Sequence, residues 1–558
     1  MQTPWFHNYS AVGGSLGLTA SVVSIPILFL FWALSVKRMK GHIAGLLTLL
    51  LTLVITIVGY RMPVPVALSA AALGMVSGLI QIGWIILAAV FLYNLVVDSG
   101  QLEIVKSSIS SLSTDRRLQA LLIAFCFSAF LESTSGMGAP VAVCAAMLIG
   151  LGFSPLPAAL ICLVGNTAPV PFGPLGVPTL MMASVTRIGD RVLAKAVGVD
   201  MMVVALIVPI FMLVVLAGWK KAMGALPAAL VAGGSYAITC LLVSHYIGAE
   251  LPALASSLVS IVCLVAFLKL WKPKSIFRFK NDPDTAIETR THYSAGQIIK
   301  AWLPFAILMV TLGICTIPAL KLWAANVCHL VMNISSWPFL DGIVFRTAPI
   351  VSKPSVYAAS FRWEFGTAAG SAMFLSSLIS MAVLRIAPAT GVRVFVATLK
   401  QLRFALITLA SVVGIAYVAN YSGMSYTLAL AFAHYTGKAF PVFSPVIGWL
   451  GVFLTGSVTS SAVLFGKLQQ VTAMQIGINP VLTTSANLFG GVMGKLISPQ
   501  SIAVACAATG LVGRETDIFR KTLKYSVMLL ALVIVVVLLQ AYVVPWVVPT
   551  DIVTVAQP

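Results

Sequence analysis

Residues 131–140 read LESTSGMGAP and residues 166–179 read NTAPVPFGPLGVPT, and both stretches interrupt a chain that is otherwise strongly apolar. Similar interruptions follow about 325 residues later, at 456–469 (GSVTSSAVLFGKLQ) and 486–503 (ANLFGGVMGKLISPQSIA). Glycine and proline decide where a helix can break. Paired broken helices in the two halves of a membrane chain predict a transporter whose binding site lies at these breaks.

The two pairs of interruptions are also related in sequence. A gapless shift of residues 134–183 by 325 positions superimposes identical residues, several of which are Gly or Pro. This pattern favours two structural repeats. The identical pairs are Thr134 with Thr459, Ser135 with Ser460, Gly152 with Gly477, Pro155 with Pro480, Leu163 with Leu488, Gly165 with Gly490, Pro174 with Pro499 and Ala183 with Ala508.

With 59% hydrophobic residues, 9% charged residues and a mean hydropathy of +1.03, the chain is too apolar for a water-soluble fold. Its apolar segments are continuous and lack the alternation of a membrane β-barrel, so an all-α polytopic membrane protein is expected. Because about 20 helical residues cross the hydrocarbon, we expect roughly 12 to 16 membrane-embedded helices or half-helices, counting the broken segments. The apolar runs lie at 14–36, 43–60, 64–82, 83–97, 119–130, 193–218, 225–247, 251–271, 299–318, 366–386, 403–418, 440–455 and 523–547.

The net charge of +19 comes largely from basic residues in short loops. Such a distribution follows the positive-inside rule and indicates contact with anionic membrane lipids rather than with nucleic acid. It predicts that the first loop, residues 272–300 and the segment before the last helix lie in the cytoplasm, and that both termini lie on the outer side of the membrane. The start of the chain lacks a basic region, so the first helix is expected to remain as an anchor. The basic groups are Lys37, Arg38 and Lys40; Arg116 and Arg117; Lys220 and Lys221; Lys272, Lys274, Arg278 and Lys280; and Arg514, Arg520, Lys521 and Lys524.

The hydrophilic residues 272–298 form a predicted cytoplasmic linker between a first membrane half, 1–271, and a second, 299–558. The first half carries the site motifs at 131–179, and the second carries those at 456–503. No composition typical of a separate soluble domain interrupts either half.

Residues 319–362 mix Trp, Pro and single charges, which predicts an interfacial excursion within the second half. The eight Cys and six His are scattered and predict neither a disulfide framework nor a metal site. The segment GGVMGKLIS lacks the first glycine and the hydroxyl residue of a phosphate-binding loop. We therefore expect no cofactor and no use of ATP, and an ion gradient is the predicted energy source.

The broken segments carry the groups that a buried carboxylate needs. Free N–H groups at helix N-termini can replace the water around an anion, and glycine lets the backbone approach a ligand closely. The predicted substrate-binding residues are Ser133, Thr134, Ser135, Gly136, Gly138 and Asn166 in the first half, and Thr459, Ser460, Ser461, Asn487 and Lys495 in the second. The alternative is that small residues in these segments only permit tight helix packing.

Glu132 lies inside the first interruption with no loop nearby, and an ionisable residue in such a place indicates a functional site. Because burial disfavours the charged form of a carboxylate, Glu132 could carry the coupling proton. The alternative is a structural acceptor that caps a half-helix. Lys495 is the corresponding cation of the second half, and it could attract the substrate's negative charge or satisfy carbonyl groups at a broken helix end.

Four blocks of this chain resemble the L-lactate permease family: 131–141 (LESTSGMGAPV), 152–179 (GFSPLPAALICLVGNTAPVPFGPLGVPT), 443–469 (FSPVIGWLGVFLTGSVTSSAVLFGKLQ) and 490–522 (GGVMGKLISPQSIAVACAATGLVGRETDIFRKT). The resemblance implies a cytoplasmic-membrane symporter with two inverted repeats that imports L-lactate, and often D-lactate or glycolate, together with a proton. It also adds Ser498 and Gln500 to the predicted substrate-binding residues. The positions that match the family's motifs are Glu132, Gly136, Gly138, Pro140, Asn166, Gly456, Ser457, Thr459, Ser460, Ser461, Lys495, Ser498, Pro499, Gln500 and Ser501.

The chain departs from the family pattern in two motifs. Family members usually carry an acidic residue and an amide where this chain has Val458 and Ala462, and small apolar residues where it has 133–135. A transporter without that acid must couple through Glu132 alone, couple differently or carry another substrate. Sodium-coupled transport of a different small organic anion therefore stays open, as do an intramembrane enzyme and a channel.

Overall fold

The computed structural model describes residues 4–550 except 38, 111, 137, 280–292, 316 and 512. Within these residues the chain is mostly helical, with a few short strands. The α-helices are α1 (Leu16–Phe31), α2 (Gly41–Val54), α3 (Val64–Ser77), α4 (Trp84–Asp98), α5 (Gln101–Ser110), α6 (Arg116–Ala120), α7 (Ser128–Thr134), α8 (Ala139–Gly150), α9 (Pro155–Gly165), α10 (Gly173–Thr186), α11 (Asp190–Ala217), α12 (Trp219–Ala222), α13 (Leu226–Tyr246), α14 (Pro252–Leu270), α15 (Ala295–Cys315), α16 (Pro318–Asn326), α17 (Ala369–Leu384), α18 (Pro388–Tyr421), α19 (Met424–Thr436), α20 (Phe440–Thr455), α21 (Val458–Ile476), α22 (Pro480–Lys495), α23 (Pro499–Thr509) and α24 (Glu515–Tyr542). The strands are β1 (Trp5–Phe6), β2 (Met332–Ile334), β3 (Val344–Arg346), β4 (Ser355–Val356) and β5 (Phe361–Trp363).

Eleven helices of the described chain are long and apolar enough to cross a membrane, or up to twelve spans if the bent pair Pro155–Gly165 and Val170–Thr186 counts as one. The two members of that pair meet at 65°. Two shorter apolar helices, α8 and α17, add to these segments. The expected all-α polytopic membrane fold is therefore confirmed. The eleven spans are Leu16–Leu34, Gly41–Gly59, Val64–Asp98, Arg116–Thr134, Asp190–Ala217, Trp219–Tyr246, Pro252–Leu270, Ala295–Cys315, Pro388–Tyr421, Met424–Thr455 and Glu515–Tyr542.

The apolar runs at 64–82 and 83–97 are not separate helices. They form one helix of 35 residues, Val64–Asp98. Its middle part, Gly78–Gly83, is π-helical, so the chain changes its hydrogen-bonding pattern there without leaving the helix. Hydropathy alone does not distinguish such a change from a turn.

The two ends of the described chain lie at one face of the molecule, which we call the terminal face. Strand β1 pairs in parallel with β3, and β3 pairs antiparallel with β4. One surface cavity is lined by His7 and Ile476, and another by Ile476 and Tyr542. Asn479 donates a hydrogen bond of 2.9 Å to the carbonyl oxygen of Pro549. The terminal face thus comprises residues 5–10, 344–349, 475–479 and 542–549.

Three basic segments, around residues 116, 220 and 275, also meet at one face, which we call the linker face. Asp115 and Arg117 form a buried ion pair of 2.7 Å at the start of α6. Arg117 donates to the carbonyl oxygens of Lys221 and Ser275 at 2.7 and 2.6 Å. Asp115 accepts a hydrogen bond from the backbone N–H of Phe277 at 3.0 Å. The start of the predicted linker is thereby attached to the helices of the first half.

Helix α11 connects the two faces. Just before it, Arg187 donates to the carbonyl oxygen of Ala358 at 3.0 Å, close to β4 at the terminal face. At its other end, α11 stops four residues before Lys221 of the linker face. The 28 residues of α11 extend about 42 Å, because each helical residue adds about 1.5 Å. The terminal and linker faces therefore lie on opposite sides of the molecule.

Two helical hairpins start from these opposite faces. The turn between α8 and α9 lies at the linker face, where Arg116 donates to the carbonyl oxygen of Leu151 and lies 5.3 Å from the ring centre of Phe153. The turn between α21 and α22 lies at the terminal face, next to the chain end. In both hairpins the second helix begins with a proline, Pro155 or Pro480, whose missing N–H is not needed in the first turn.

Glycine lets the helices around these hairpins approach one another closely. A Cβ atom at Gly490 of α22 would collide with the carbonyl oxygen of Pro445 in α20, and one at Gly165 of α9 would collide with that of Ala124. Gly165 and Gly490 are one of the pairs related by the shift of 325 positions. Because a backbone atom cannot rotate away as a side chain can, each glycine sets the distance between two helices.

Gly490→Ala is expected to lower the free energy of unfolding by about 1–3 kcal/mol, because overpacking must push α20 and α22 apart. Gly234→Ala in α13 is the matched control, since no atom lies within 4 Å of its added Cβ and alanine is the better helix former. Thermal unfolding of the purified protein in detergent measures both. Equal melting temperatures of the two variants would contradict the packing argument.

His7 is buried at the terminal face. Its Nε2 donates to the carbonyl oxygen of Tyr421 at 2.9 Å, and its Nδ1 lies 3.3 Å from the Tyr9 hydroxyl. A carbonyl oxygen only accepts hydrogen bonds, so the proton of the neutral ring is on Nε2. Burial lowers the pKa of His7 to about 4. The folded protein therefore keeps this ring neutral well below the pH at which a free histidine is protonated.

Lowering the pH from 7 to 5 should destabilise the folded protein through His7. The unfolded chain takes up a proton at the ordinary histidine pKa of about 6.5, whereas the folded chain resists protonation down to a pKa of about 4. The free energy of unfolding should fall by about 2 kcal/mol over that interval. In His7→Gln, which keeps a donor but takes up no proton, the melting temperature should fall less between pH 7 and pH 5. An equal fall in both proteins would rule out this role of His7.

Candidate functional site

The first interruption is a break in a buried helix. The span Arg116–Thr134 is buried over the whole of its apolar segment. It ends inside the protein and not at a surface loop. Gly136 and Gly138 follow with φ angles of +56° and +86°, a left-handed conformation that favours glycine. Gly138 directly precedes α8, so one helix ends and another starts within a few residues.

The second half contains two breaks of the same kind. Gly456 separates α20 from α21 with a φ angle of +71°, and the Ser457 hydroxyl accepts a hydrogen bond from the N–H of Ser460 at 3.2 Å. Between α22 and α23, the Ser498 hydroxyl accepts one from the N–H of Ser501 at 3.2 Å. Serine at these positions satisfies an N–H group that the start of a helix leaves free.

Helix α23 brings the breaks of the two halves together. A Cβ atom at Gly138 would lie 3.2 Å from the Val504 side chain, and one at Gly456 would collide with that of Gln500. Residues 500 and 504 are about one helical turn apart and lie on the same side of α23. The breaks therefore border one region, which we call the central site.

An ion pair joins the two halves in the central site. Lys495 Nζ lies 2.5 Å from Glu132 Oε1, although the two residues are 363 positions apart in sequence. Glu132 Oε2 accepts a hydrogen bond from Asn166 Nδ2 at 3.1 Å, and Asn166 Oδ1 accepts one from the Ser128 hydroxyl at 3.0 Å. The side chains of Glu132 and Lys495 are only 3% and 14% exposed. Water screens these charges weakly, so each depends on the other for compensation.

The amide of Asn487 belongs to a separate network. Its Oδ1 accepts a hydrogen bond from Gln469 Nε2 at 3.2 Å, and its Nδ2 lies 3.5 Å from the Ser461 hydroxyl. Gln469 also donates to the carbonyl oxygen of Ser444 at 3.0 Å. This network links α20, α21 and α22, whereas Asn166 belongs to the ion-pair network. Gln469 was not predicted, because a glutamine at the end of a motif carries no local signal of such a role.

The predicted side-chain ligands differ in their access to a substrate. The hydroxyl groups of residues 133–135 are buried and donate to carbonyl oxygens of their own helix. Thr459 and Ser460 are half-buried, and Gln500 is exposed. The side chains that a ligand could reach without rearrangement are therefore those at the starts of α21 and α23. Their role as substrate ligands stays a prediction.

The gapless shift of 325 does not pair equivalent positions at the first break. Thr134 ends α7, whereas its partner Thr459 lies in the first turn of α21, after the break at Gly456. The shift does pair Pro155 with Pro480 at the starts of α9 and α22. The shift thus aligns the second helix of each hairpin, whereas an alignment of the helix breaks needs a gap.

One further buried carboxylate, Asp200, was not predicted. Asp200 in α11 is 1% exposed, and its Oδ1 accepts a hydrogen bond from Gln540 Nε2 of α24 at 2.8 Å. Within the described residues, Asp200 Oδ2 and Gln540 Oε1 make no hydrogen bond of good geometry, although the Ser485 hydroxyl lies close to the carboxylate. An acidic residue inside an apolar helix is a recognisable signal. Here it is a single acidic residue in the long apolar run 193–218, whose hydropathy indicates only a span.

Comparisons with known proteins identify relatives over nearly the whole chain. A family model described as L-lactate permease matches residues 19–544. The L-lactate permease of Escherichia coli K12 is 45% identical over 551 residues, which cover 98% of this chain and 100% of the relative. That of Bacillus subtilis 168 is 45% identical over 562 residues with the same coverage. The glycolate permease GlcA of Escherichia coli K12 is 48% identical over 553 residues, covering 97% of this chain and 98% of the relative.

Among solved structures, that of Neisseria gonorrhoeae MtrF, described as representing a class of antimetabolite efflux pumps, aligns with a TM-score of 0.46 at 12% identity. The alignment covers 85% of this chain and 84% of that one. A likeness at this level carries no argument about function.

The family match includes both hairpins, the breaks and the ion pair of the central site. The relatives are permeases of bacteria, so the chain is a multi-pass transporter of the cell membrane and not an enzyme. Together with the apolar helices and the paired breaks, this match shows that the chain belongs to the L-lactate permease family.

Proposed function

We propose that this chain imports a small 2-hydroxy monocarboxylate, L-lactate or glycolate, by proton symport. The observation that carries the proposal is the buried ion pair, in which Glu132 of one half lies 2.5 Å from Lys495 of the other. The relatives' names indicate the substrate class, because L-lactate and glycolate share a carboxylate and a neighbouring hydroxyl group. D-lactate carries the same two groups and belongs to the same class.

The ion pair provides a physical means of coupling the proton to the substrate. While the pair is formed, Lys495 compensates the charge of Glu132. A proton that neutralises Glu132 leaves the ammonium group of Lys495 without a counterion, and the carboxylate of the substrate can take that place. If the proton or the substrate bound alone, one buried charge would be left unpaired, at a cost of about 3–5 kcal/mol. One proton and one monoanion therefore bind together.

Val458 is consistent with Glu132 as the group that carries the proton. Position 458, where family members usually have an acidic residue, is here apolar and 4% exposed. It contributes no charge to the start of α21. The coupling that we propose needs one carboxylate, and Glu132 supplies it.

Coupling of one proton to one monoanion also removes the cost of importing charge against the membrane potential. Importing a monoanion against an inside-negative potential costs about 2.3 kcal/mol per 100 mV, and one co-transported proton cancels the charge. The loaded transporter then has the same net charge as the empty one.

The remaining contacts to the substrate would come from the broken helix ends. The N-termini of α21 and α23 offer free N–H groups and a partial positive charge to a carboxylate. Thr459, Ser460 and Gln500 are within reach of solvent at these ends, and they can bond to the hydroxyl group of the substrate. Gly138, which carries no side chain, leaves room at the opposite break.

The opposed hairpins fit a transporter with alternating access. We assign the linker face to the cytoplasm because of its basic residues, which leaves the terminal face and both termini outside. The hairpin of α8 and α9 then starts from the cytoplasmic side and that of α21 and α22 from the outer side, as inverted repeats require. Movement of one hairpin against the other would open the central site to one side at a time.

Glu132→Gln is expected to separate substrate binding from proton coupling. Glutamine resembles protonated glutamate in shape, so Lys495 stays available to the substrate while no proton is carried. In proteoliposomes, exchange of internal for external radiolabelled L-lactate should continue, and accumulation driven by an inward proton gradient should be lost. Accumulation at the native level would contradict the proposed role of Glu132.

Lys495→Met should abolish both exchange and accumulation, because it removes the cation that binds the carboxylate. Lys438→Met changes an exposed lysine near the terminal face and should retain both. Repeating the assay with glycolate and with a sodium gradient tests the substrate and the coupling ion. Accumulation driven by sodium alone would overturn proton symport, and failure to take up either carboxylate would overturn the substrate class.

A further inference from the structure

Three basic side chains meet in the interior near the terminal face. Arg187 follows α10, Lys467 lies in α21 and Arg346 ends β3. The guanidinium groups of Arg187 and Arg346 each lie 5.3 Å from the ring centre of Tyr357. Lys467 Nζ lies 5.7 Å from that of Tyr426, and the two tyrosine rings are 6.3 Å apart. We call these three basic residues and two tyrosines the cationic cluster.

The described residues provide no carboxylate partner for the basic side chains of the cluster. None of the ion pairs found there includes Arg187, Lys467 or Arg346. Their hydrogen bonds go to neutral groups instead: Arg187 donates to the carbonyl oxygen of Ala358 at 3.0 Å, and Lys467 donates to Gln470 Oε1 at 2.9 Å. The charges of the cluster are therefore left without direct compensation.

One acidic residue, Asp341, lies near the cluster, because it bonds to Ala359, the residue after the Ala358 that binds Arg187. Its carboxylate accepts a hydrogen bond from the N–H of Ala359 at 2.8 Å. A single carboxylate still leaves an excess of positive charge. Within the described chain, Arg346 Nε and the Tyr426 hydroxyl also make no hydrogen bond of good geometry, although both atoms are buried and the Tyr357 hydroxyl lies close to that of Tyr426.

The positive field of the cluster acts on Tyr357. Burial alone would raise the pKa of its hydroxyl group, yet the charges of Lys467, Arg187 and Arg346 lower that pKa below its usual value of 10. Lys467 is only 9% exposed, so water screens these charges weakly. Buried like charges repel one another, and an anion bound among them would remove that repulsion.

A surface cavity lies next to the cluster and shares His7 with its surroundings. Its volume is about 550 Å³, and its lining includes the exposed residues Asn8 and His434 at the terminal face. Its inner wall includes His7, whose ring centre lies 6.2 Å from that of Tyr357 and 5.5 Å from that of Tyr426. His7 thus both lines the cavity and lies near the tyrosines of the cluster.

We infer that the cationic cluster is a second binding site, separate from the central site, for a small carboxylate anion. Guanidinium, ammonium and tyrosine hydroxyl groups are the donors that a carboxylate needs. Lys467 follows Thr459 by eight residues on α21, about 12 Å along the helix, so an anion held there is a short distance from the central site. That this anion is the transported one rests on the proposed function.

Equilibrium dialysis of the purified full chain in detergent against radiolabelled L-lactate tests this inference. The native protein should bind two lactate ions per chain, and Lys467→Gln and Arg346→Gln should each bind one. Lys495→Met should retain one, because it leaves the cationic cluster unchanged. Lys438→Gln is the matched control and should bind two.

The inference is overturned if Lys467→Gln and Arg346→Gln bind the same number of lactate ions as the native protein, with the same affinity. It is also overturned if the native protein binds one ion and only Lys495→Met loses it. Lys467→Arg, which keeps the charge, should bind two ions, and this result would show that a loss in Lys467→Gln does not come from misfolding.

If the proposed function is wrong, the cationic cluster can still be tested with another carboxylate. If the native protein neither takes up nor binds L-lactate, its melting temperature is measured with increasing sodium acetate, using sodium chloride to match the ionic strength. A rise with acetate that is absent from Lys467→Gln and Arg346→Gln would support the cluster as a carboxylate site and reject lactate as its ligand. An equal response in all three proteins would overturn the inference.

Discussion

Where one helix stops inside an apolar protein and another begins, up to four backbone N–H groups in the first turn of the new helix lack partners. The architecture of the central site depends on that constraint. Ser457 and Ser498 each satisfy one such group, at the starts of α21 and α23. The remaining N–H groups carry partial positive charge into the region where the breaks meet. Glu132 and Lys495 form their ion pair in the same region. The helix breaks and the ion pair are therefore parts of one arrangement that suits a small anion.

The central site and the cationic cluster differ in how their charges are compensated. In the central site, Lys495 already has an internal counterion, so an anion can bind there only by replacing it. Lys467 and Arg187 bond to neutral oxygen atoms, so an anion bound among them would not have to replace a counterion. Exchange of one counterion for another is suited to coupling with a proton, whereas an uncompensated cluster is suited to simple capture.

The membrane helices, the breaks and the two charged residues of the central site could be predicted because each is a local signal. Gly and Pro in an apolar run indicate a break, and Glu132 and Lys495 stand out as charges without a nearby loop. The pairing of these two residues could not be predicted, because helical periodicity contains no information about contacts across 363 positions. Lys467 gives a weaker signal, because it lies near the end of a motif in which the hydroxyl groups of Thr459, Ser460 and Ser461 are the more prominent polar feature. Its partners Arg187 and Arg346 come from distant segments that only the folded chain brings together.

The ion pair between the halves has a consequence for the transporter when no substrate is bound. If a proton reached Glu132 alone, Lys495 would lose its counterion at a position where its side chain is only 14% exposed. Such a state is costly, so under the proposed mechanism an empty transporter would change its orientation with the pair formed and without a proton. The same contact that would couple the two ligands would thus prevent protons from leaking through the empty protein and dissipating the gradient that, in the proposed function, drives uptake.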